Sequence, residues 1–213
     1  KDAAFNKWLE STAPVIGHRW ITNLGGKSMI EAPKAPKDSG GKYRVIYADP
    51  PWLYSSMQHT DTAQATTLDE HYPQMETADI AALPVRAWVR SDAVLFLWVT
   101  SPKLYEAKHV IDGWGFEYKA SIVWDKVKHN VGYYVSVRHE LLLICTRGSC
   151  LPDSNKLEDS VVSLERGEHS VKPPHFREWI DRMYLPPDGE VDRLEMFARG
   201  DIPDLWDRYG GEP

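Results

Sequence analysis

The apolar run Tyr43-Arg44-Val45-Ile46-Tyr47-Ala48 stops at Asp49-Pro50-Pro51-Trp52. Six residues rich in β-branched and aromatic side chains have the length and composition of a buried strand. Two successive prolines cannot prolong it, because each lacks an N–H, fixes its own φ and restricts the residue before it. The chain therefore sets an acidic side chain at the carboxyl end of a buried strand and follows it with a stiff loop. Open α/β sheets bind ligands at that edge. The same four residues also suit a plain turn leading into a core tryptophan.

Downstream, the pattern alternates between strands and helices. Thr77 is placed to cap a short helix ending at Leu83, and Ala93 to Val99 is a continuous apolar run of buried-strand length. Ser101-Pro102 offers an N-cap with proline at the first helical position. Leu104, Ala107 and Ile111 then mark one helical face, which Gly113 stops. Strands are expected from Phe116 to Trp124, from Glu140 to Thr146 and from Arg193 to Phe197, and Phe176, Trp179, Ile180 and Met183 share the face of a further helix. This alternation predicts an α/β fold, Rossmann-like, with a mostly parallel sheet and helices on both faces. No G-x-G-x-x-G precedes Asp49, so either a nucleotide cofactor is absent or its site is assembled late in the chain.

A length of 213 residues suits one such domain, assigned to 43–213 and preceded by an N-terminal extension and linker over 1–42. Leu53 to His71 is polar and nearly free of periodicity, as a long loop beside a site would be. Cys145 and Cys150 have no metal-ligand spacing and read as buried or incidental thiols, which suits a reducing cytoplasm. No membrane span, signal sequence or metal site is expected. A net charge of −6 excludes a surface that grips phosphates all over, leaving local patches. One such patch interleaves Lys128, His129, Tyr133, Tyr134 and Arg138, and reads either as a nucleic-acid contact or as a solvated basic hairpin.

The Asp49 loop has a definite chemical capacity. The exocyclic amine of adenine is a poor nucleophile because its lone pair is delocalised into the ring. A carboxylate at Asp49 and the Pro50 carbonyl, each accepting one N–H, would localise that lone pair where charge develops. Pro51 would hold the carbonyl in direction, and Trp52 would offer a flat face to an extruded base.

Several separated stretches together resemble the MT-A70 family of S-adenosylmethionine-dependent adenine-N6 methyltransferases. They are Ala48 to Trp52, Leu95 to Thr100, Gly113 to Phe116 with Ile122 to Trp124, Gly132 with His139-Glu140, Glu168 to Pro173, Leu194 to Arg199, and Trp206 with Gly210 to Glu212. The resemblance implies a circularly permuted motif order, with the catalytic loop ahead of most cofactor contacts. It implies that Asp49, Pro50, Pro51 and Trp52 are catalytic, with Asp49 also meeting the methionine end of S-adenosylmethionine. Lys172, Glu195, Phe197, Arg199 and Gly210 would hold the cofactor, Glu195 through its ribose hydroxyls. Tyr72, Lys128, Tyr133 and Glu140 would meet the substrate. Gly211 stands where the family has an asparagine, and Asp201 and Ile202 where its eukaryotic members have polar side chains.

The implied activity is N6-adenine methylation of nucleic acid, with DNA favoured over RNA and a homodimer expected. The alternatives are a catalytically silent nucleic-acid-binding subunit, and an N-methyltransferase for small molecules or protein side chains.

Overall fold

The computed structural model describes residues 41–54, 74–130, 134–167, 171–187, 190–199 and 201–212, the side chains of 130, 199, 211 and 212 aside. The expected extension over 1–42 lies outside these residues except for its last two.

Seven strands form one sheet: β1 (Tyr43–Ala48), β2 (Val89–Val99), β3 (Glu117–Asn130), β4 (Val137–Arg147), β5 (Val161–Ser163), β6 (Arg193–Arg199) and β7 (Asp207–Glu212). Their order is β5-β3-β4-β2-β1-β6-β7. Six run one way and β4 alone runs against them, so the sheet is mostly parallel, as expected. The helices are α1 (Thr77–Ala81), α2 (Val85–Trp88), α3 (Leu104–Gly113) and α4 (Pro174–Met183).

Successive side chains of a strand point to opposite faces, so a strand buried on both sides supplies two cores. In β2, Ala93, Leu95, Leu97 and Val99 pack with Ile80, Trp88 and Val110 of the first three helices and with Trp114 just past the third. Val94, Phe96 and Trp98 pack with Phe176, Trp179, Ile180 and Met183 of α4. On that second face Trp98 meets Phe176 edge-on at 4.9 Å and Phe96 meets Trp179 at 5.5 Å. Such pairs add about 0.5–1.5 kcal/mol each beyond the area they bury.

Several local expectations are corrected. Thr77 is the first residue of α1 and caps nothing; its hydroxyl donates to Glu106. Ser101 opens a 3₁₀ turn behind Thr100 and bonds His139 Nε2 at 3.1 Å. Gly113 does not stop α3. The stop is Gly115, at φ +78°, whose N–H reaches the Asp112 carbonyl while the N–H of Phe116 reaches that of Ile111, a Schellman closure. Gly113 is needed for space, since a Cβ there would lie 2.6 Å from the Ala81 carbonyl oxygen. β3 and β4 outrun the expected strands and form an antiparallel ribbon. β7 was not anticipated.

At the β6–β7 edge of the sheet, Phe197 in β6 and Gly210 in β7 both take positive φ, +63° and +66°. The ladder passes over both, pairing Met196 with Tyr209 and Ala198 with Gly211. A buried phenylalanine held left-handed costs about 1–3 kcal/mol, and such strain collects at functional sites.

Candidate active site

β1 lies between β2 and β6, so Asp49 emerges at the carboxyl edge near the middle of the sheet. Its N–H donates to the Met196 carbonyl at 3.2 Å, which ties the loop to β6. The following residues form a tight knot. Trp52 N–H donates to the Pro50 carbonyl at 2.9 Å, Met75 N–H to Pro51 at 2.7 Å and Leu53 N–H to Met75 at 2.9 Å. The Pro50 oxygen thus spends one lone pair on the turn and keeps a second. Trp52 donates its indole N–H to the Trp98 carbonyl at 3.3 Å and is only 5 % exposed. The ring packs in the core and braces the loop, which leaves little of its face open to an extruded base.

Around Asp49 the charges alternate. Lys172 Nζ donates to Asp49 Oδ2 at 2.6 Å and lies 3.4 Å from Glu140 Oε2, and Glu140 in turn accepts from Lys126. All four are half-buried or nearly buried, and Lys172 also lies 5.4 Å from the centre of the Trp98 ring. Burial alone would push the Glu140 carboxyl up, but Lys172 and Lys126 outweigh it and hold it below the usual carboxylate range. Burial alone would lower the Lys172 ammonium, and Asp49 and Glu140 outweigh that and raise it. Glu140 and Lys172 are thus each kept charged by their neighbours.

Beside this row opens a cleft of about 340 Å³, lined by Asp49, Lys172, Glu195, Phe197 and Asp201 among others. Arg177 of α4 enters it too, donating to Glu195 Oε1 at 2.8 Å. Glu195 Oε2 is buried with no partner among the described residues, and burial pushes this carboxyl up despite Arg177. An unmet buried acceptor costs about 1–3 kcal/mol. The residues therefore fit a ligand that donates hydroxyl groups at Glu195.

The structure brings Asp49, Pro50, Pro51, Glu140, Lys172, Glu195 and Phe197 to one edge. Gly210 supplies the kink beside Phe197, and Arg199 ends β6 with its side chain undescribed. Lys128 is exposed on the ribbon and paired with Glu165, and Arg138 is paired with Asp125 at 2.6 Å. The basic stretch is thus largely neutralised by its own acids. Tyr72 and Tyr133 lie outside the described residues, as does most of the expected long loop. Lys126, Arg177 and Tyr54 are at or beside the site and were not foreseen there. Lys126 stood two residues from Trp124 as an ordinary basic residue, and nothing in sequence pairs Arg177 with Glu195.

Comparison with known proteins fits this geometry. The family model described as MT-A70 matches residues 43–212. The chain is 31% identical over 186 residues to the type II methyltransferase M.MunI of Mycoplasma sp., covering 80% of this chain and 78% of that protein. It is 27% identical to a probable N(6)-adenosine-methyltransferase MT-A70-like protein of Oryza sativa and 26% identical to the N(6)-adenosine-methyltransferase catalytic subunit METTL3 of Homo sapiens. Each of these two matches covers 75% of this chain but only 21% and 26% of the longer protein.

Proposed function

The chain belongs to the MT-A70 family, and on that footing we propose that it transfers a methyl group from S-adenosylmethionine to N6 of adenine in nucleic acid, DNA in preference to RNA. The observation that carries this reading is the Asp49 carboxylate, held by Lys172 at the mouth of the Glu195 cleft with the Pro50 carbonyl beside it.

Lys172 fixes the carboxylate through Oδ2 and leaves Oδ1 to accept an amine N–H. The second lone pair of Pro50 accepts the other N–H. Together they draw the adenine amine towards a pyramidal nitrogen and stabilise the positive charge that grows on it. Arg177 steadies Glu195, whose other oxygen is available to the ribose hydroxyls of the donor. Phe197 lines the same end of the cleft, and Gly210 and Arg199 belong to the proposed donor site through the strands beside it. S-adenosylmethionine supplies a methyl group already activated on a sulfonium, so the protein's share is positioning and electrostatics.

The preference for DNA rests on the higher identity to a type II methyltransferase, 31%, than to the human adenosine methyltransferase, 26%. Pairing of two copies belongs to the same proposal, and sedimentation at micromolar protein checks it. The test of function offers methyl-labelled donor with duplex DNA, single-stranded DNA and RNA, followed by nucleoside analysis. N6-methyldeoxyadenosine supports the reading, N6-methyladenosine moves it to RNA, and label in no nucleoside rejects it.

A further inference from the structure

With Trp52 buried, the site needs another aromatic surface for the base, and one stands two residues further on. Tyr54 is 38 % exposed. Its hydroxyl bonds Thr100 Oγ1 at 2.7 Å, at the carboxyl end of β2. That end lies between β1, which carries Asp49, and β4, where Val99 pairs with Leu141 next to Glu140. Thr100, to which the ring is tied, thus follows the strand that adjoins both the Asp49 strand and the Glu140 strand. The charges of Glu140, Asp49 and Lys172 all act on its hydroxyl.

The ring also has a foundation that the reaction does not otherwise use. Lys103 lies 5.5 Å from its centroid, is buried, and donates to both oxygens of Glu106 at 2.9 Å, while Thr77 donates to the same carboxylate. A buried ammonium is expensive and persists only with such partners. Its position under the ring adds a cation–π contact and stiffens a side chain already tied at its hydroxyl. One face of Tyr54 is thereby backed and its outer surface left open.

We propose that Tyr54, braced by Thr100 and the Lys103–Glu106–Thr77 group, is the platform on which the target base lies while Asp49 and Pro50 take its amine. The inference rests on the adenine-methyltransferase reading above. It makes Tyr54 a substrate-positioning aromatic that serves the base and leaves the donor alone.

The test compares Tyr54→Ala and Tyr54→Phe with the wild type on unmethylated plasmid DNA, its denatured strands and total RNA. S-adenosylhomocysteine affinity and thermal midpoint are measured in parallel. Tyr54→Ala is expected to raise the KM for the methylated polynucleotide about 5- to 150-fold, the loss of one stacking contact, with S-adenosylhomocysteine affinity held. Tyr54→Phe, which keeps the ring, restores most of that loss. An oligonucleotide with 2-aminopurine at the methylated position becomes brighter on Tyr54→Ala than on wild type, because an extruded base no longer stacks. A wild-type KM and fluorescence in Tyr54→Ala overturn the inference and leave the methyltransferase reading intact. Equal loss of affinity for both ligands makes Tyr54 merely structural and also overturns it. Wild-type enzyme that labels no polynucleotide removes the reading and the inference together.

Discussion

At the scale of single residues, the site is a set of carboxylates whose environments separate their tasks. Glu140 is held below the usual carboxylate range by two lysines, whereas burial pushes Glu195 above it. Because burial raises it, Glu195 takes up a proton above the ordinary glutamate value of about 4.3 as pH falls. A protonated Glu195 accepts hydroxyls poorly. S-adenosylhomocysteine affinity is therefore expected to weaken as pH falls from neutrality towards the ordinary glutamate range, and Glu195→Gln to be weaker throughout but flat over that window, as titration calorimetry would read. Asp49 and Lys172 were legible because they belong to contiguous motifs. The burial of Trp52, the exposure of Tyr54 and the pairing of Arg177 with Glu195 were not, because each is decided by a contact made far away in sequence.

At the scale of elements, apolar runs located β1, β2 and β4, and the spacing of Phe176, Trp179, Ile180 and Met183 located α4. β7 escaped because Asp-Arg-Tyr-Gly-Gly-Glu has neither an apolar run nor alternation; it pairs because β6 offers an edge. Gly113 was misread for a related reason. A glycine near a helix end looks like a stop, but this one lets α3 approach Ala81 at the end of α1. Gly113→Ala is expected to destabilise the fold by about 1–3 kcal/mol through overpacking against backbone, measured as a fall in the urea midpoint at constant m. An unchanged midpoint would mean that α1 yields freely.

At the scale of the whole molecule, an acidic chain of net charge −6 is asked to handle a polyanion. Its ribbon cations Lys126, Lys128 and Arg138 are already engaged by Glu140, Glu165 and Asp125. Few counterions should then be displaced on binding. The logarithm of affinity for DNA is expected to fall with log salt at a slope no steeper than about −3, corresponding to roughly three phosphates neutralised, as anisotropy between 50 and 200 mM salt would show. A much steeper slope would mean that these ion pairs open to receive the backbone. Composition made the weakness of the electrostatic grip legible, whereas the self-neutralised ribbon required the fold.

The central claim is that the Asp49 carboxylate grips the amine that accepts the methyl group. Its most direct measurement is single-turnover transfer of labelled methyl by Asp49→Asn, with binding of S-adenosylhomocysteine and of nucleic acid followed in the same preparation. The predicted result is a fall of about 10²–10³ in the transfer rate with nucleic-acid affinity and fold retained. Transfer at the wild-type rate would contradict it.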